Sequence, residues 1–243
     1  MKNIISSVVY GLLHSKFLIK IYLLFIAVMI FTTIVNFDEN ITYTSELMMG
    51  GASLTYVFNF FILAMAAGII CCEDYKDKTA NFEIMSGYSR LKIYLARGIF
   101  AVIAADLMAL LLSFVPVIAG NITHDWGQTI DFGDFMLRIC LYFFPYMRVA
   151  AFLVLISVLI RNQYVLMGIG YFIMDYVIIR QEADLTLFKG MITGCDNIIC
   201  LAKYDENLGR LPLKTAALTI GISLVMTGVY MFIGYRLFKR KDI

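Results

Sequence analysis

The chain has 243 residues, of which 61% are hydrophobic and only 16% are charged, and its mean hydropathy is +0.81. Soluble domains carry about a quarter charged residues, so this composition excludes an ordinary water-soluble protein and indicates a chain embedded in lipid. The net charge of +2 gives no indication of a nucleic-acid partner.

Residues 1–16 predict an amphipathic helix that lies flat in the membrane interface. Apolar residues recur in pairs every four positions and form one helical stripe, whereas the polar residues fall elsewhere on the helix. The stripe consists of Ile4, Ile5, Val8, Val9, Leu12 and Leu13. A frayed cytoplasmic tail is the alternative interpretation.

Six apolar stretches are long enough to cross a bilayer, which requires about 20 residues per helix. They cover roughly residues 17–35, 53–72, 98–119, 138–160, 163–180 and 214–238. We therefore predict an all-α integral membrane protein that forms a single transmembrane domain over residues 1–243. Segment 181–213 mixes apolar residues at helical spacing with glycines, which predicts short extracellular helices before the last span.

Lysine and arginine residues predict that both termini are cytoplasmic. With an inner N-terminus, thirteen of them lie in inner segments and six in outer segments, in agreement with the positive-inside rule. The first outer loop, 36–52, has three acidic residues and no basic one. Segment 73–97, between the second and third spans, is then cytoplasmic.

Several kinds of chemistry lack their sequence motifs. The chain has no phosphate-binding loop of the G-x-x-x-x-G-K-[ST] type, so it is not expected to hydrolyse ATP or to act as an enzyme alone. Its two histidines, His14 and His124, are too few for a typical zinc site, and we expect no metal. Cys195 and Cys200 lie in a polar loop and could form a disulfide on an oxidising side of the membrane.

Three charged residues lie deep within predicted spans, namely Asp106, Arg148 and Asp175. Charges at this depth are expected to face the bundle interior or water rather than lipid. Arg148 and Asp175 lie at matching depths on helices joined by a short turn, which favours a salt bridge between them. A role as polar elements of a substrate path or gate is the alternative.

Segment 73–97 reads EDYKDKTANFEIMSGYSRLKIYLAR and resembles the cytoplasmic segment after the second span of ABC type-2 permeases. The positions that match the family pattern are Glu73, Thr79, Ser89, Arg90 and Arg97, whereas Lys78 and Tyr88 depart from it. The turn containing Ser157, Arg161 and Asn162 is also similar to the family, as is the C-terminal YRLFKRKDI.

The resemblance implies the membrane subunit of an exporter in a bacterial plasma membrane. In this family the segment docks into a groove on a separate ATPase subunit, which binds the ATP and Mg²⁺, and no cofactor is bound by the permease chain. The coupling residues implied here are Glu73, Asp74, Phe82, Ile84, Met85, Tyr88, Ser89 and Arg90. The apolar members suit a groove, and Ser89 is expected to N-cap the third span. A solvated inner loop is the alternative.

The family also implies a second permease chain, identical or homologous, packed against spans two and five. Small residues on these spans, Ala64, Gly68 and Gly168, are the candidates for that interface. The implied cargo is a peptide, such as an antimicrobial or lantibiotic-type peptide, or a hydrophobic or amphipathic compound. Alternatives from other classes are an ion- or proton-coupled carrier or channel and a non-transporting scaffold or sensor subunit.

Overall fold

The computed structural model describes residues 2–35, 43–76, 83–128, 130–179 and 213–240. Within these ranges the chain is helical and contains no strand, which confirms the all-α prediction. The helices are α1 (Lys2–His14), α2 (Lys16–Val35), α3 (Thr44–Lys76), α4 (Arg90–Thr123), α5 (Phe132–Leu141), α6 (Phe143–Ile160), α7 (Gln163–Ile179) and α8 (Leu213–Arg240).

Four helical stretches in the described part of the chain are long and apolar enough to cross a membrane. They are α2, α4, the α5–α6 stretch Phe132–Ile160, and α8. Helices α3 and α7 coincide with the other two predicted spans; α7 has 17 residues, and the apolar part of α3 is Phe58–Cys72. The membrane character of the protein is thus supported, whereas the number of six spans remains a prediction.

Helices α3, α4 and α6 pack against one another at the centre of the bundle, while α2 packs on α4, α7 on α3 and α8 on α6. The central contact is rich in buried alanines, which allow the backbones to approach closely. Helices α2 and α8 expose large apolar side chains on their outer faces, including Phe31 and Phe232. Such a continuous apolar surface suits lipid rather than water.

Contacts between helix termini define the two ends of the bundle. At one end, the Arg90 Nη1 donates to the Lys239 carbonyl over 3.0 Å, and Ile93, Val158 and Phe238 share one buried cluster. We call this end, with residues 83–97, 158–163 and 236–240, the basic end. At the other end, the backbone N–H of Thr44 donates to the Asp125 carbonyl over 3.0 Å.

Helix α1 packs along the basic end through only half of its predicted stripe. Ile4 is buried there, and Val8 and Leu12 are half-buried against the bundle, whereas Ile5 and Leu13 are exposed. Consecutive residues on a helix point about 100° apart, so each apolar pair faces two directions. The single stripe of the prediction is therefore divided between a protein-facing row and an outward-facing row.

Two of the three candidate dimer-interface residues are buried within the chain itself. Ala64 lies against Gly170 of α7, and Gly68 lies against the backbone of Gln163. The small residues on α3 therefore serve the close contact of α3 with α7, and their burial leaves them no exposed surface for the predicted dimer interface. Gly168 differs, because a Cβ added there would meet no atom within 4 Å.

Candidate functional site

The turn between α3 and α4, residues 83–90, has a compact backbone. Residues 83–85 form a helical turn, after which the Gly87 N–H donates to the Ile84 carbonyl over 3.0 Å. Gly87 has φ +89, a backbone conformation that glycine adopts readily and that residues with a Cβ atom disfavour. Ser89 then caps α4 by accepting a bond from the Lys92 N–H, which confirms the predicted N-cap. We call residues 83–90 the coupling turn.

An ion pair attaches the coupling turn to α4. Arg97 Nη2 donates to Glu83 Oε1 over 2.7 Å, and the two side chains are only 10% and 18% exposed, respectively. Burial raises the pKa of the Glu83 carboxyl above its usual range. Arg97 was singled out in the sequence and Glu83 was not, because side chains that contact each other along one helix are three or four residues apart, whereas these are 14 apart.

The predicted coupling residues are placed differently from one another. Ile84 and Tyr88 pack against the buried cluster at the basic end, whereas Met85 is 82% exposed. Arg90 is engaged with the α8 C-terminus. The backbone of Glu73 and Asp74 continues α3, but their side chains, and all of Phe82, lie outside the described residues.

A second group of polar side chains lies in the centre of the bundle. Asn59 Nδ2 on α3 donates to Ser113 Oγ on α4 and to the Tyr146 hydroxyl on α6, each over 2.8 Å. These bonds join the three central helices, and Asn59 and Tyr146 are fully buried. The sequence analysis missed this group, since 54 and 87 residues separate the partners. Polar residues within apolar spans are the signal that could have found it.

We expect Tyr146→Phe to lower the free energy of unfolding by about 1 kcal/mol, the typical worth of one net hydrogen bond. The ring stays in place while Asn59 loses one of its two acceptors. Thermal unfolding of the purified full-length protein, followed by circular dichroism, measures the change. Tyr164→Phe is the control, because Tyr164 is exposed at the start of α7; equal stability losses would contradict the assignment.

Of the three predicted intramembrane charges, the structure describes the side chains of two. Asp106 on α4 and Arg148 on α6 are both buried. Asp106 makes no hydrogen bond to any described residue. The Asp175 backbone is part of α7, but its side chain lies outside the described residues, so the Arg148–Asp175 salt bridge remains a prediction.

Metal-binding and disulfide chemistry finds little support in the described ranges. No three His, Cys, Asp or Glu side chains there are grouped closely enough to hold a metal ion. Cys71, Cys72 and Cys140 are free thiols. Cys195 and Cys200 lie outside the described residues, so their disulfide remains a prediction.

No protein-family model and no curated protein sequence matches the chain. The structure itself defines the class of protein. In the part of the chain that it describes, the protein is all-helical and four helical stretches are able to cross a membrane. Its two notable polar features are the central Asn59 group and the coupling turn held at the basic end.

Proposed function

We propose that this protein is the membrane-spanning subunit of an ABC exporter. It crosses a bacterial plasma membrane six times, with both termini in the cytoplasm, and pairs with a second permease chain of the same or a related sequence. A separate ATPase subunit hydrolyses the ATP. The cargo is a peptide or another hydrophobic or amphipathic compound.

The geometry of the coupling turn is the observation that supports this proposal best. Its inner side is fastened by the Glu83–Arg97 ion pair and by Ile84 and Tyr88 in the buried cluster. Its outer side projects Met85 away from the bundle. A turn that is attached to the bundle on one side and presents an exposed apolar side chain on the other suits the transfer of motion from a docked partner to α4.

The two ends of the bundle support the proposed orientation. Within the described ranges, the basic end carries Arg90, Lys92, Arg97, Arg161, Arg236, Lys239 and Arg240. The opposite end carries Asp125, Asp131 and Asp134 near its turns, and its described basic residues are Arg138 and Lys214. By the positive-inside rule the basic end faces the cytoplasm, which is the side on which ATP is available.

The arrangement of α1 agrees with a position in the inner interface. Its exposed row, with Tyr10 and Leu13, continues into the exposed Phe17 at the start of α2. An exposed row of apolar and aromatic residues on an amphipathic helix is typical of the boundary between headgroups and acyl chains. The protein-facing row links α1 to the same buried cluster that holds the coupling turn.

ATP drives transport in this proposal by a difference in binding between two states. The ATPase pair closes on ATP, and the docked coupling turn moves with it. Because Arg97 belongs to α4, the movement reaches the central contact of α3, α4 and α6. A ligand shifts such an equilibrium only by its differential affinity for the two states.

Substitution of Met85 by glutamate tests the docking. We expect Met85→Glu to weaken capture of the ABC ATPase encoded beside this chain by at least about tenfold, since a central apolar contact contributes about 2 kcal/mol or more. Affinity purification of the co-expressed full-length chains, with the bound ATPase quantified, measures the loss.

Ile122→Glu is the matched control for this experiment. Ile122 is 80% exposed, close to the 82% of Met85, but it lies in the last turn of α4 at the opposite end. This variant is expected to retain the ATPase. Equal retention by both variants would overturn docking at the coupling turn.

An ion- or proton-coupled carrier is the second candidate function, favoured by the burial of Asp106 and Arg148 in the core. In that case transport would continue without nucleotide and would follow an ion or pH gradient. Uptake assays in proteoliposomes, with the gradient and the ATPase supplied separately, distinguish the two functions.

A further inference from the structure

The carboxyl of Asp106 lies at the middle of α4, 16 residues after Arg90 and 17 before Thr123. Asp106 is 0% exposed. Neither Oδ1 nor Oδ2 has a hydrogen-bond partner among the described residues. This side chain is therefore a buried polar group to which no described residue donates a hydrogen bond.

Small, buried apolar residues lie beside Asp106 on its own helix. Ala105 and Ala109 flank it on α4 and are fully buried. They belong to the central cluster in which Ala66 of α3 and Ala150 of α6 also lie. Alanine side chains donate no hydrogen bond, so they cannot replace the water that an ionised carboxylate requires.

No described residue forms a hydrogen bond with the Asp106 carboxyl. Helix α3 has no charged residue between Glu46 and Glu73, and α8 has none between Lys214 and Arg236. The other helices that pack on α4 carry further charged or titratable groups. Those on α1, α2 and α5 are Tyr10, His14, Lys16, Lys20, Tyr22, Asp134, Arg138 and Cys140. Those on or beside α6, α3 and α8 are Tyr142, Tyr146, Arg148, Cys71, Cys72, Tyr230 and Tyr235. No hydrogen bond joins any of them to Asp106.

We propose that Asp106 is a proton-binding site at the contact of α3, α4 and α6. An ionised carboxylate is unfavourable in a buried apolar contact, whereas the carboxylic acid is neutral and fits there. A metal cation would require several oxygen ligands, and the described residues here supply one carboxyl.

In this proposal, release and uptake of the proton are linked to the separation and contact of the three helices. While the three helices are in contact, the proton stays on the carboxyl. When the helices separate and water enters, the O–H bond breaks, the proton passes to water, and the carboxylate becomes hydrated. Closing the contact takes the proton up again. This linkage holds for an ATP-driven exporter and for a carrier, so it does not depend on the proposed function.

Infrared spectroscopy of the purified full-length protein in lipid nanodiscs tests the site. At neutral pH we expect a carboxylic-acid C=O band that shifts in D₂O and on labelling with ¹³C-aspartate. The labelling is read in the wild-type protein, so this result does not require a variant to fold. Asp106→Asn, which is close in shape to the protonated acid, is expected to lack the band.

Asp134→Asn is the control, because Asp134 is exposed on α5 and its loss is expected to remove carboxylate bands only. Absence of an aspartic-acid band from the labelled wild-type protein would overturn the proton site. Loss of a carboxylate band in Asp106→Asn would do the same. The measurement uses no ATPase, so its outcome is independent of the Met85 docking experiment.

Discussion

Arg97→Ala is expected to destabilise the folded protein by about 3 kcal/mol, the lower part of the range for breaking a buried ion pair. The variant leaves Glu83 with its charge in a site that is only 18% exposed. Its second oxygen, Oε2, already has no hydrogen-bond partner among the described residues. Chemical or thermal unfolding of the full-length protein in detergent measures the loss.

Two further variants separate the ion pair from other effects of the substitution. Lys92→Ala removes an exposed positive charge from the first turn of the same helix and is expected to change stability by less than about 1 kcal/mol. Adding Glu83→Gln to Arg97→Ala removes the stranded charge and is expected to recover part of the loss. Additive effects of the two changes would contradict a direct pair.

The ion pair also bears on the proposed coupling. Because this ion pair joins the coupling turn to the body of α4, its loss loosens the turn without altering the exposed Met85. We therefore expect Arg97→Ala to reduce the transport-linked stimulation of the ATPase more than it reduces capture of the ATPase.

Gly170→Ala is expected to destabilise the protein by about 2 kcal/mol, within the range of overpacked cores. A Cβ at position 170 would overlap the Cβ of Ala64, which belongs to the neighbouring helix α3. Alanine favours a helix over glycine by about 1 kcal/mol, but relief of the overlap requires α3 and α7 to separate. Thermal unfolding of the purified variants measures the net effect.

Gly168 provides a control on the same helix, since a Cβ there meets no atom within 4 Å. Gly168→Ala is expected to be neutral or slightly stabilising in the single chain. Ala64→Gly combined with Gly170→Ala restores the space and is expected to recover most of the stability. Equal losses at positions 168 and 170 would show that the α3–α7 contact is not the cause.

Local patterns in the sequence predicted the helices well where hydropathy and helix length coincide. The predicted spans 17–35 and 163–180 correspond closely to Lys16–Val35 and Gln163–Ile179. The span 98–119 is shorter than α4, because hydropathy marks the lipid-length part while the helix begins at the Ser89 cap. The span 138–160 is divided at Tyr142, close to Pro145, which lacks a backbone donor.

Most of the polar contacts could not be predicted from the sequence. The Ser89 cap was predictable because serine is a favoured cap residue and the bond is local, with Lys92 three residues away. Glu83 with Arg97, and Asn59 with Ser113 and Tyr146, join residues that are remote along the chain. No periodicity relates such partners, so the sequence identifies candidates without identifying pairs.

The sequence by itself therefore determined the helical class, the apolar stretches and the imbalance of basic residues, because hydropathy, capping and charge act over one or two turns of chain. The tertiary structure decided which face of each helix is buried, and so which small residues serve α3 and α7 within one chain. It also decided that Ile84 and Tyr88 turn inward while Met85 faces outward. These choices depend on the fit between surfaces of distant helices, which packing alone determines.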